Sequence, residues 1–140
     1  MNILIISRSY PTRYKVKFPF VQQLVEEMGR QGHHCYVITP FSITSERRLY
    51  KQKETKLYEN GGSVTVLRPN YFSVSKLHVG TFYLSEFLRA KAVKRAFKWI
   101  DKEIDFVYCH FWQSAKDGYS FAHKRKLPLF VATGESCIKN

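Results

Sequence analysis

Residues 1–40 read MNILIISRSYPTRYKVKFPFVQQLVEEMGRQGHHCYVITP, and this stretch decides the fold. Ile3-Leu4-Ile5-Ile6 is a continuous apolar run rich in β-branched residues. Such a run predicts a strand buried on both faces, the pattern of a parallel sheet. A loop from Ser7 to Lys17 follows, with Pro11 and several basic residues. Phe20, Val21, Leu24, Val25 and Met28 then fall at helical spacing, and Gly32 marks the end of that helix. Cys35 to Thr39 predicts a second strand, stopped by Pro40. Strand, helix and strand at this spacing imply a crossover between two parallel neighbours.

The pattern continues outward. Ser45 to Glu59 is highly charged and weakly periodic, and reads as an exposed helix or a loop. Asn60-Gly61-Gly62 is a turn signal, and Val64 to Leu67 a third strand ended by Pro69. Val79 to Lys102 predicts the longest helix. Its Val79, Phe82, Tyr83, Ala90, Val93, Ala96, Phe97 and Ile100 share one broad face, beside a basic stripe of Lys91, Arg95, Lys98 and Lys102. Phe106 to Cys109 reads as a fourth strand, Ser114 to Arg125 as a short helix and Leu127 to Ala132 as a fifth strand. The expected architecture is therefore α/β: one Rossmann-like domain over residues 1–140, a doubly wound parallel sheet of about five strands.

Bulk properties narrow the class. With 140 residues and 44% hydrophobic content, the chain can bury its own core and is not of disordered composition. Lys plus Arg is 23 against 11 Asp plus Glu, so the formal net charge is +12. That surface attracts phosphate, whether on a nucleotide, an anionic lipid or a nucleic acid. The three cysteines, Cys35, Cys109 and Cys137, are widely spaced and odd in number, which argues against a disulfide framework and suits a reducing, cytoplasmic setting. No apolar run is long enough to span a bilayer.

Ligands of open parallel sheets bind beyond the carboxyl ends of the strands, near the switch in strand order. Three loops meet that rule: Ser7 to Phe20, His110 to Gln113, and Gly134-Glu135-Ser136. The first has no G-x-G-x-x-G and no P-loop, so a nicotinamide site has little support. It offers Arg8, Arg13, Lys15 and Lys17, either as a phosphate clamp or as a solvated basic loop. His110 follows a buried strand and is a candidate acid, base or hydrogen-bond donor. Glu135 is a candidate for binding sugar hydroxyls or stabilising a cationic transition state, with loop closure as the plainer reading. Gly134-Glu135-Ser136-Cys137-Ile138 starts like a nucleophile elbow but lacks the second glycine. His33-His34-Cys35 straddles a helix end and a strand and cannot easily converge on one metal ion. The one-signed stripe Lys91, Arg95, Lys98, Lys102, flanked by aromatic residues, reads either as an ordinary solvated face or as a contact with an anionic membrane.

These motifs together resemble the acceptor-side domain of the GT-B glycosyltransferases of family 4. The opening strand, the Tyr10-Pro11 loop and Gly32-His33-His34-Cys35-Tyr36-Val37-Ile38 match the family's first βαβ unit. Asp105-Phe106-Val107-Tyr108-Cys109-His110 resembles its D-x-x-x-x-H fourth strand, and Leu127-Pro128-Leu129-Phe130-Val131-Ala132-Thr133 its fifth. Lys17-Phe18-Pro19-Phe20 stands where the family usually has a glycine turn, and Gly134-Glu135-Ser136 where it usually has a His-Gly-x-Asp loop. The resemblance implies a retaining transfer of sugar from a UDP- or GDP-sugar to a glycan or lipid-linked acceptor, without metal or other cofactor. It implies His110 and Glu135 at the transfer site, and Arg8, Phe18, Phe20, Trp112, Gly134 and Ser136 on the substrates, Trp112 stacking on a sugar ring. It implies a peripheral position on the anionic inner face of the cytoplasmic membrane. It also implies a second, donor-binding domain with an E-x7-E motif, without which residues 1–140 should be inactive. The rival expectation is a non-catalytic basic α/β domain that binds carbohydrate or nucleic acid. No recognised nucleic-acid motif favours the latter ligand.

Overall fold

A computed structural model describes residues 1–12, 19–46, 50–73, 78–79 and 82–133. Six strands form the main sheet: β1 (Asn2–Ile6), β2 (His34–Ile38), β3 (Lys53–Leu57), β4 (Ser63–Leu67), β5 (Phe106–His110) and β6 (Leu129–Ala132). Three helices flank it: α1 (Pro19–Arg30), α2 (Leu84–Phe97) and α3 (Ala115–Arg125). The strand order is β6-β5-β1-β2-β4-β3. All neighbours are parallel except β3, which runs antiparallel to β4. The chain lays β2 and β4 on one side of β1, then crosses to lay β5 and β6 on the other. The switch in order therefore falls between β1 and β5. The Rossmann-like reading is consistent with this architecture.

The alternation of side chains sorts the core into two layers. Ile3, Ile5, Cys35, Val37, Val64 and Val66 face α1 and pack on its Val21 and Val25. Leu4, Ile6, Tyr36, Ile38, Leu67, Val107 and Cys109 face the other way, onto Val93 and Ala96 of α2 and Phe121 and Ala122 of α3. Buried on both faces, β1 explains the unbroken apolar run. Burial pushes the Cys35 thiol up to about 11 and the Cys109 thiol up to about 12, so both stay protonated and behave as small apolar groups.

Asp105 fixes where β1 and β5 meet. Its carboxylate accepts the Asn2 N–H at 2.6 Å, and its own N–H donates to the Asn2 carbonyl at 2.7 Å. In the resulting register Ile6 pairs with Cys109, which sets Ser7 level with His110.

The first helix begins with Pro19, whose missing N–H is no loss in a first turn. It ends as Gly32 takes φ 95°, while the N–H groups of Gly32 and His33 donate back to Gly29 and Met28. Its last turn also supports the β3–β4 hairpin. The Asn60 amide donates to the Arg30 carbonyl, and Gly62 lies against Gly29 so closely that a Cβ at 62 would overlap the Gly29 carbonyl oxygen.

Three expectations are corrected. Ser45 to Glu59 is neither one helix nor a loop, since a short helix (Ile43–Glu46) is followed by strand β3. That strand, KETKL, is exposed throughout and has no apolar face to announce it. It exists because β4 offers it a ladder, with the Thr55 and Thr65 hydroxyls 3.1 Å apart across it. Its Lys53 and Lys56 give the sheet a charged edge. The sheet thus has six strands rather than five. Finally, the helix expected over Val79 to Lys102 spans only Leu84–Phe97, with His78–Val79 and Phe82–Tyr83 forming a small antiparallel ladder before it. Beyond Phe97 the chain turns, and Asp101 accepts the Tyr36 hydroxyl at 2.5 Å. Lys98 and Lys102 therefore lie past the helix end, and the stripe with Lys91 and Arg95 does not run along one helix.

Because the Gly29 backbone cannot retreat from a methyl group, Gly62→Ala should cost about 2–3 kcal/mol by overpacking. Gly61 meets no atom within 4 Å at its Cβ position but holds φ 89°, so Gly61→Ala carries backbone strain without overpacking and should cost about 1 kcal/mol. Urea unfolding of both variants measures the difference.

Candidate functional site

Beyond the carboxyl ends of β1 and β5, four short pieces of chain come together: Ser7-Arg8, the start of α1, the first turn of α2 and His110-Phe111. Ser7 is fully buried, its N–H donating to the Ile38 carbonyl at 3.1 Å and its hydroxyl to the Ser9 carbonyl at 2.7 Å. These bonds turn the chain out of the sheet, so that Arg8 emerges at the rim. The Arg8 guanidinium meets Glu86 of α2 at 2.9 Å.

His110 ends β5 and is 7% exposed. Its ring lies 4.9 Å from that of Phe20 at the start of α1 and 4.3 Å from that of Phe111. Tyr108, two residues back on the same face of β5, brings its hydroxyl to 3.2 Å from His110 Nδ1. Burial raises the Tyr108 pKa, so this phenol keeps its proton. If it donates to Nδ1, the imidazole carries its own proton on Nε2. Burial also lowers the His110 pKa from its ordinary value near 6.5, so the ring is neutral at neutral pH. A neutral, oriented imidazole can donate one hydrogen bond or take up one proton.

Phe111 follows with φ 67° and ψ 153°, a conformation that only glycine adopts without strain. The kink sends the chain straight from β5 into a single 3-10 turn (Trp112–Ser114) and then α3. It leaves Trp112 60% exposed, while Phe20 on the other side of His110 is 48% exposed. The rings of Phe20 and Phe111 border the histidine, and Trp112 follows as an exposed ring two residues on.

A chain of alternating charges supports this rim from behind. Arg8 pairs with Glu86, Glu86 with Arg89 at 3.2 Å, and Arg89 with Asp117 of α3 at 2.8 Å. The Arg89 and Asp117 side chains are 9% and 8% exposed, so this last pair is desolvated and ties α2 to α3. Burial opposes the charge on Arg89, but Asp117 and then Glu86 outweigh it and hold its pKa above the ordinary value. Burial likewise works against Glu86, yet Arg89 and Arg8 together keep its carboxyl below the ordinary range.

Of the residues expected from sequence, Arg8, Phe20, His110 and Trp112 stand on segments at this end of the sheet, with Phe20 in contact with His110. Phe18, Gly134, Glu135 and Ser136 lie outside the described residues, as do Arg13, Lys15 and Lys17. Lys91 is exposed on α2, its ammonium 4.9 Å from the Phe87 ring, and Arg95 donates to the Asn70 carbonyl at 2.8 Å. His33, His34 and Cys35 go separate ways. His33 meets the N-terminal amine, His34 bonds the Ser63 hydroxyl at 2.8 Å and Cys35 enters the α1-side core. Among the described residues no group of three or more His, Cys, Asp or Glu could hold a metal ion. Nor, among them, is any helix long and apolar enough to cross a membrane.

Sequence reasoning missed Arg89, Asp117 and Ser114. Arg89 had a signal, since it precedes Val93 by four positions and Ala96 by seven and so shares their buried face. Ser114 is 1% exposed, and its hydroxyl has no partner among the described residues. Nothing in the sequence marks it.

No protein-family model matches the chain, and no curated protein matches it significantly.

Two outcomes follow from this geometry. Removing one member of the buried pair strands the other, so Arg89→Met should cost about 3 kcal/mol of unfolding free energy, and Arg89→Met with Asp117→Leu distinctly less. For His110, the folded state binds a proton less readily than the unfolded chain. The imidazole therefore imposes no penalty well above pH 6.5 and a growing one as pH falls through that value. Denaturation midpoints taken between about pH 7.5 and about pH 5 should fall less steeply in His110→Gln than in the parent.

Proposed function

We propose that the chain is the acceptor-side domain of a retaining GT-B glycosyltransferase. In the two-domain enzyme, sugar passes from a UDP- or GDP-sugar to a glycan or lipid-linked acceptor in the making of a cell-surface polysaccharide. The observation that carries the reading is the placing of His110. It closes the D-x-x-x-x-H strand at the switch point, level with Ser7 and in contact with Phe20. The Asp105 of the same motif pins that strand to β1. The motif thus has a physical rationale at both ends, one structural and one at the switch in strand order.

In this proposal the neutral His110 hydrogen-bonds a sugar hydroxyl, an interaction that strengthens as charge develops at the anomeric carbon. Phe20 and Trp112 offer apolar faces on which a sugar ring stacks, and Arg8 draws the phosphate side of the substrates. Phe18 and the segment Gly134-Glu135-Ser136 keep their proposed roles on substrate, with Glu135 supplying a carboxylate to the transfer site. The donor-binding domain holds the nucleotide, and no metal or other cofactor is required. Lys91 and Arg95 on the outside of α2, with Lys98 and Lys102 beyond it, favour a peripheral place on an anionic membrane surface.

The first test is the reading frame beyond codon 140. A second α/β domain with an E-x7-E motif is expected there, or in a companion gene, and a stop with no companion rejects the proposal. In the two-domain enzyme, incubated with labelled UDP- and GDP-sugars and a membrane lipid extract, His110→Ala should slow transfer about a hundredfold. An unimpaired variant would remove His110 from the transfer site.

A further inference from the structure

The imidazole of His110 is held by several neighbours, and one of those contacts is directional. The rings of Phe20 and Phe111 lie against it with centroids at 4.9 and 4.3 Å, tilted by 54° and 59°. Ring packing of this kind restricts the imidazole but does not tell one ring nitrogen from the other. The Tyr108 hydroxyl does, because it meets Nδ1 at 3.2 Å.

The contact follows from the strand. Tyr108 and His110 are two positions apart on β5, so both project from the face that α1 partly covers. Tyr108 is itself held in place. Its register partners are Ile5 of β1 and Phe130 of β6, and its ring packs against the α1-side core. The hydroxyl makes no other hydrogen bond among the described residues.

The direction of the bond follows from acid–base strength. The bare nitrogen of a neutral imidazole is a good acceptor, and a phenol oxygen is a poor one. The favoured arrangement is therefore the phenol O–H donating to Nδ1, rather than an Nδ1–H donating to the phenol. Because burial keeps the phenol protonated, its donor proton is present wherever the ring is neutral. With Nδ1 bare, the proton of the neutral ring sits on Nε2.

We propose that Tyr108 is a positioning residue for His110, locking the neutral imidazole in the tautomer that carries its proton on Nε2. The ring's one basic nitrogen is then occupied by the phenol. Held in this way, His110 acts on substrate by donating a hydrogen bond from Nε2, not by taking up a proton. The action on substrate rests on the transferase reading, whereas the tautomer does not.

The test is nuclear magnetic resonance of the full chain, isotope-labelled in its histidine nitrogens, at about pH 8, where the ring is neutral. The signals lost in His110→Gln belong to His110. In the parent they should show one tautomer, with Nδ1 unprotonated and hydrogen-bonded and Nε2 as an N–H. Tyr108→Phe, which removes a single oxygen, should move both nitrogens toward the values of a tautomer mixture. In the two-domain enzyme, the same variant should lower kcat about tenfold with KM little changed. A protonated Nδ1 in the parent would overturn the proposal with no need of the tyrosine variant, and so would an unchanged His110 signature in Tyr108→Phe. Full-speed transfer by Tyr108→Phe beside slow transfer by His110→Ala would overturn the positioning role. Unimpaired transfer by His110→Ala counts against the transferase reading instead, and the nitrogen signals still decide the tautomer.

Discussion

The grouping of side chains around His110 depends on the registration of β1 against β5. A strand buried on both faces can slide along its neighbour only in steps that leave apolar residues apolar, and a slip of one residue would turn Leu4 and Ile6 into the wrong layer. Asp105 removes the remaining freedom by bonding both ways to Asn2. With that contact made, Ser7 and His110 come level, the α1 start reaches His110 through Phe20, and Arg8 is delivered to Glu86. The side chains of the rim are thus positioned from the opposite end of the sheet.

Much of this was legible in the sequence, and the reason is burial. The strands with two covered faces, β1, β2 and β4, appear as short, mostly apolar runs because nearly every position is buried. Helix α1 is equally plain, since Val21 and Val25 mark its buried stripe and Gly32 its end. The strand β3 was not legible. Its five exposed residues carry no pattern, and only the partner strand makes it a strand. The limits of α2 were not legible either, because apolar residues before and after it, such as Val79 and Ile100, fit helical spacing without being helical.

The candidate site divides along the same line. His110 could be found from its place after a buried run. The groups that hold the rim could not, because buried ion pairs are specified by two distant residues and neither is informative alone. Arg89 and Asp117 are 28 positions apart. Arg68 is a related case. It follows an apolar strand directly and precedes Pro69, a position where a cation draws no notice, yet it is among the most enclosed charges in the protein.

The two margins of the sheet differ in a way that bears on assembly. On one side β3 presents lysines and no apolar residue but Leu57, and water wets it along its whole length. On the other, β6 carries Phe130 and Val131, 55% and 39% exposed, beside Phe106. Lateral growth of the sheet is therefore discouraged at one margin and tolerated at the other. Polypeptide that joins this domain edgewise has a single hospitable side to approach.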